Sequence, residues 1–169
     1  MKFTGFSFLA SALLFGFLWS CQSRMNDENS RNNSKLLKIA DSLYQFNPGG
    51  ADSVYRVVLK DSASLDPRNY ADTLLGLSQI YSNQSAFDTA VYMIGKASKI
   101  ADHIQDTVLL MECFLLRGNL YLNLGEFDQS RQCFDKGLAL AVRSNDIENQ
   151  YHFNLNLEIS ILPYIRILS

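Results

Sequence analysis

Between residues 66 and 145 apolar side chains recur three and four positions apart in four successive stripes, each closed by a turn signal. The first carries Tyr70, Leu74, Leu77, Ile80 and Tyr81. It follows Asp66-Pro67, an Asp suited to cap free N–H groups and a Pro where its missing donor costs nothing. After Gln84-Ser85 come Phe87, Ala90, Val91, Ile94, Ala97 and Ile100. Asp106 opens the third stripe, Leu109, Leu110, Phe114, Leu115, Leu116, Leu120 and Tyr121, which ends at Gly125, a residue suited to a left-handed turn. Phe127, Phe134, Leu138 and Val142 form the fourth. Landmarks return at a constant offset: Tyr81 and Tyr121, Phe87 and Phe127, Lys96 and Lys136, Ala101 and Ala141, Asp106 and Asp146. A period of about 40 residues predicts stacked helix pairs, each with an apolar face that only a neighbouring pair covers. Small residues at Ala90 and Ala97, matched by Ser130 and Gly137, let those helices approach closely.

The flanks are less regular. Leu36, Leu37, Ile39, Ala40, Leu43 and Tyr44 share one helical stripe, and Asn47-Pro48-Gly49-Gly50 stops it. A shorter stripe of Ala51, Val54, Tyr55, Val57, Val58 and Leu59 follows, so residues 35–65 read as an atypical opening hairpin. Residues 21–34 are polar, Asn-rich and aperiodic, the composition of a flexible tether, which places the start of the fold near Lys35. From Asp146 a third unit begins in register, so that 66–169 reads as repeats with the last incomplete. There Tyr151, Phe153, Leu155 and Leu157 alternate closer to period two than to a helical period, and Pro163 breaks the pattern. Half a repeat leaves an apolar face for a makeshift cap, a docking surface or the continuation of a longer protein.

Residues 1–20 hold one cation, Lys2, before an apolar run from Phe3 to Trp19 of signal-peptide length. Leu18-Trp19-Ser20-Cys21 resembles the lipobox of bacterial lipoproteins, which implies lipidation of Cys21, an anchor in a membrane, and a location in the cell envelope facing the periplasm or the cell surface. Trp19 departs from the usual small residue, and the other reading is an uncleaved anchor helix.

Leu74, Leu77-Ser78, Tyr81, Ala90, Ile94 and Ala97, then Phe114, Arg117-Gly118, Tyr121, Ser130, Phe134 and Gly137, resemble the signature of tetratricopeptide repeats. Ser78 stands for Gly, Arg117 for Leu, neither copy has the closing Pro, and both exceed the common repeat length. The resemblance implies an all-α fold, an α-solenoid of antiparallel helix pairs, with ligand contacts drawn from the first helix of each pair. Those positions are Asp72, Leu75, Gln79, Ser82 and Asn83, then Glu112, Leu115, Asn119, Leu122 and Asn123. Asn83 and Asn123 suit an extended peptide backbone; they equally suit the ends of helices. Leu75 and Leu115 stand where relatives that clamp a terminal carboxylate use basic residues, which argues against that ligand.

Composition narrows the functional classes. The 169 residues carry a net charge of −2 with both signs interspersed, against a nucleic-acid surface. His103 and His152 lack companions at metal-ligand spacing, and Cys113 and Cys133 read as small buried hydrophobes or as a disulfide across one hairpin. No phosphate loop, nucleophile elbow or HExxH occurs, so the expectation is neither an enzyme nor a cofactor protein. Triplets such as Asp61-Ser62-Ala63 and Asp72-Thr73-Leu74 resemble an O-glycosylation sequon of some bacterial envelopes, and helix capping selects the same residues. The expectation is a lipid-anchored scaffold holding a protein or peptide in its groove. The alternative is the N-terminal sensor portion of a longer signal-transduction or transcriptional regulator, and a weaker third is a carrier or glycan-binding lipoprotein.

Overall fold

The structure, a computed structural model, describes residues 28–60 and 65–168, with side chains as far as Ile161. The signal segment, Cys21 and Ser62 lie outside the described residues. Every described element is an α-helix: α1 over residues 28–44, α2 Pro48–Lys60, α3 Pro67–Asn83, α4 Phe87–His103, α5 Thr107–Leu124, α6 Phe127–Arg143 and α7 Ile147–Leu168. Consecutive helices from α2 onward pack on one another, and α3 meets α5 as α5 meets α7.

The turns repeat with the sequence. Ser85, Gln105, Gly125 and Asn145 each take a left-handed conformation, with φ of 60°, 56°, 74° and 55°. In each case the next N–H returns to a carbonyl of the helix just ended: Ala86 to Tyr81, Asp106 to Ala101, Glu126 to Tyr121 and Asp146 to Ala141, at 2.8–2.9 Å. Free carbonyls at the helix end are satisfied this way. Gly125 adopts φ > 0 without a steric penalty and Asn145 at a reduced one; Ser85 and Gln105 are held there because the hairpins dock on both sides. Carboxylate caps alternate. Asp66, Asp106 and Asp146 accept from the N–H of Asn69, Leu109 and Asn149 at 3.0, 2.9 and 3.0 Å, whereas Ala86 and Glu126, ahead of α4 and α6, make no side-chain cap.

Among the described residues three clusters form the core, each spanning three helices. Leu37, Ala40, Ala51, Tyr55, Val58, Leu77 and Ile80 join α1, α2 and α3. Leu74, Leu75, Ile94, Ala97, Leu109 and Cys113 join α3, α4 and α5. Met111, Phe134, Ala141 and Phe153 join α5, α6 and α7. Close approach depends on three glycines: a Cβ at Gly76 would overlap the Tyr55 ring, one at Gly118 the Phe134 ring, and one at Gly137 the Phe153 ring.

Two expectations are corrected. Residues 28–34, expected in a flexible tether, are helical, and Asn33 is buried. The period-two segment is a helix that continues past Pro163. Its apparent alternation arises because both sides are apolar: Phe153 is buried and Leu157 packs on its cluster, while Ile147, Tyr151, Leu155 and Ile159, four apart, are exposed. Among the described residues no helix is long and apolar enough to cross a membrane.

Candidate binding cleft

The first turns of α3 fix the site. Asp66 caps the helix, which sets Arg68, Asn69, Asp72, Gly76 and Gln79 along the side that meets α1. Polar contacts clasp α1 there: Asn69 Nδ2 donates to Ser34 Oγ at 3.0 Å, Ser30 Oγ to Asp66 at 3.3 Å, and Asn83 Nδ2 to the Tyr44 hydroxyl at 2.8 Å. Because Gly76 has no side chain, Tyr55 crosses α3 and donates its hydroxyl to Asp41 Oδ1 at 2.6 Å. Burial and the adjoining Asp41 carboxylate push the phenol far above its ordinary value.

What remains open between α1, α3 and α5 is a half-open cavity of about 660 Å³, with Leu37, Lys38 and Asp41 on one wall, Arg68 and Asp72 on the next and Glu112 on the third. A smaller one of about 180 Å³ adjoins it, shares Tyr44 and Gln79, and is lined by Ser82, Asn83, Asn119 and Asn123. Arg68 Nε donates to Asp72 Oδ1 at 3.1 Å while Nη1 pairs with Asp106 across to α5.

The acids divide. Burial works against ionised Asp106, yet the N–H of Leu109 and the Arg68 guanidinium outweigh it and hold the carboxyl below its usual range. Asp72 goes the other way: burial, helped by Asp41 and Asp106, overcomes Arg68 and pushes it up. Glu112, exposed on the third wall, is raised as well, by crowding from the surrounding protein first and by the Asp72 charge next.

Of the positions expected to face a ligand, Asp72, Gln79 and Glu112 line the larger cavity, and Gln79, Asn83, Asn119 and Asn123 the smaller. Leu75 is a correction: it is 1% exposed, inside the α3–α4–α5 core, because α5 covers that side of α3. Leu115 packs against the α5–α6–α7 cluster. Asp41, Tyr44, Tyr55, Arg68 and Asn69 line the cleft without having been expected there. The signal for Arg68 and Asp72 is their four-residue spacing on one helix; for Asp41 and Tyr55 none exists short of knowing how α1 and α2 dock.

Cys113 and Cys133 are free, buried thiols; burial, then Glu112, pushes Cys113 up to about 12, which makes it inert. Among the described residues no group of His, Cys, Asp and Glu is arranged to hold a metal ion. Compared with protein-family models and with curated protein sequences, the chain matches none.

Proposed function

We propose that this protein is a repeat scaffold of the tetratricopeptide type, held at a membrane of the bacterial envelope through a lipid on Cys21, and that it binds a segment of a partner protein across α1, α3 and α5. One observation carries the binding half: residues from five separate helices, mostly α1, α3 and α5, line two adjoining cavities, with amides at one end and carboxylates at the other. Amides satisfy the donors and acceptors of an extended chain, and a groove preformed by helix packing spares the ordering cost of binding. The anchor half rests on the Leu18–Cys21 pattern alone.

A photo-crosslinking residue at Asn119, compared with one at Lys99 on exposed α4 surface, tests the groove in cells. A discrete adduct from position 119 and none from 99 is the expected result; equal adducts, or none from 119, would remove the groove from the proposal. Labelled palmitate should enter the wild type and not Cys21→Ala, and label retained by the variant would refute the anchor. A second reading, the repeat portion of a longer sensor, is favoured by the exposed stripe Ile147, Tyr151, Leu155 and Ile159. An open reading frame running on from Ser169 into further helices and a membrane span would establish it, and a stop codon there would end it.

A further inference from the structure

The larger cavity has the size of a ligand pocket and adjoins the amide-lined one at Tyr44 and Gln79, so an occupant of both is an elongated molecule with a charged and a neutral end. Its charged walls are of one sign in excess. Asp41 comes from α1, Asp72 from α3 and Glu112 from α5. The cation on the α3 wall, Arg68, is already shared between Asp72 and Asp106, leaving Lys38 on the α1 wall. From this geometry we infer that the cleft takes a basic peptide segment, with lysine or arginine side chains against Asp41, Asp72 and Glu112 and the following backbone along Asn83, Asn119 and Asn123.

Two further observations agree. Asp72 and Glu112 are raised above their ordinary values by burial first, with neighbouring carboxylates adding to it and Arg68 only partly offsetting it, so a further cation beside them is favoured. Tyr44, half-buried, belongs to the lining of both cavities, and a tyrosine ring is a favourable surface for ammonium and guanidinium groups. The inference rests on the groove reading above and adds the charge of the occupant.

The test uses the full chain in neutral detergent and three probes: fluorescent acetyl-hexalysine amide, an uncharged serine–glycine peptide of equal length, and spermidine as competitor. Affinity is measured for the wild type, for Asp41→Asn with Glu112→Gln, and for Asp88→Asn with Asp102→Asn, an equal charge change on exposed α4 sites. The expected result is that the cleft pair weakens hexalysine about tenfold or more while the α4 pair stays within about twofold, with strong salt dependence and poor competition by spermidine. Equal losses for both pairs, or none for the cleft pair, would overturn the inference. Full competition by spermidine would assign the site to polyamines instead. Asn119→Trp separates the two levels: if it blocks a peptide that the charge variants leave unaffected, the groove stands and its basic preference falls. If it blocks neither peptide, with the unfolding midpoint unchanged, the groove itself falls.

Discussion

Hairpins α3–α4 and α5–α6 share their turns and their Asp caps, but they divide the volume at their contacts differently. Within the pair, Ser78 and Ile94, which line the smaller cavity together in the first, are replaced in the second by Gly118 and Phe134, which pack on each other. At the contact with the next helix, Ala97 and Cys113 become Gly137 and Phe153. A large residue arrives where its partner shrinks to glycine; the side-chain bulk is nearly kept in the first exchange and grows in the second. The hydroxyl moves too. Ser78 Oγ turns back to Leu75 O of its own helix at 2.6 Å, whereas Ser130 Oγ, on the second helix of its pair, reaches across to Gly118 O at 2.8 Å. The first hairpin therefore meets through smaller groups, with the smaller cavity open beside Ser78 and Ile94, and the second is filled by a ring.

Breaking the ring contact should have the largest effect. Phe134→Ala is expected to lower stability by about 3–5 kcal/mol and Ile94→Ala by about 2–5, each read from urea unfolding. If Ile94→Ala proved the costlier, the second hairpin would not be the tighter one. Next comes Gly118→Ala, whose Cβ overlaps the Phe134 ring; a loss of about 1–3 kcal/mol is expected, and combining it with Phe134→Leu should recover part of it. Strictly additive effects would mean the two sites do not share one space. Ser130→Ala removes a buried bond between helices and should cost about 0.5–1.5 kcal/mol, against little for Ser78→Ala, whose bond is local.

How much of this was legible before the structure depends on the kind of signal. Periodicity located the four central helices, and Asp66, Asp106 and Gly125 marked their ends, because caps and left-handed glycines act locally. Ser85 and Gln105 adopt the same positive φ without a residue type that announces it, since docking of the flanking helices imposes it, whereas Asn145 is of a type that tolerates it. The helical run over residues 28–34 was hidden by polar composition that its contacts with α3 offset. The facing of Asp41 and Arg68 into the cleft is decided by how hairpins dock, which spacing along one helix does not encode.

The turn comparison is smaller in energy. Ser85→Gly and Gln105→Gly should each raise stability by about 0.5–1 kcal/mol, while Gly125→Ala lowers it by about 1. A thermal-unfolding series in which all three fell would show those turns to be held by side-chain contacts instead. The smallest effect separates the cleft acids by pH. Asp72 and Glu112 have folded values above their unfolded ones, so they favour the fold in acid and work against it as pH rises through the carboxylate range. Asp106, held low, contributes above its unfolded value and loses that contribution as pH falls through its folded one. Glu112→Gln should therefore raise the midpoint of unfolding at pH 7, with the gain fading in acid. A gain independent of pH would mean the effect is steric.

The evenly spaced left-handed residues make every hairpin boundary the same joint. A copy of residues 106–145 spliced in after Asn145 would meet a familiar turn and a familiar Asp cap at both ends. The neighbours would still not fit, because Cys113 of the copy would face Gly137 and leave the space that the Phe153 ring now occupies. The joints behave like identical couplings and the residue pairs like keys cut for one lock, so the hairpins are interchangeable as pieces of chain while their order is specified by the pairs between them.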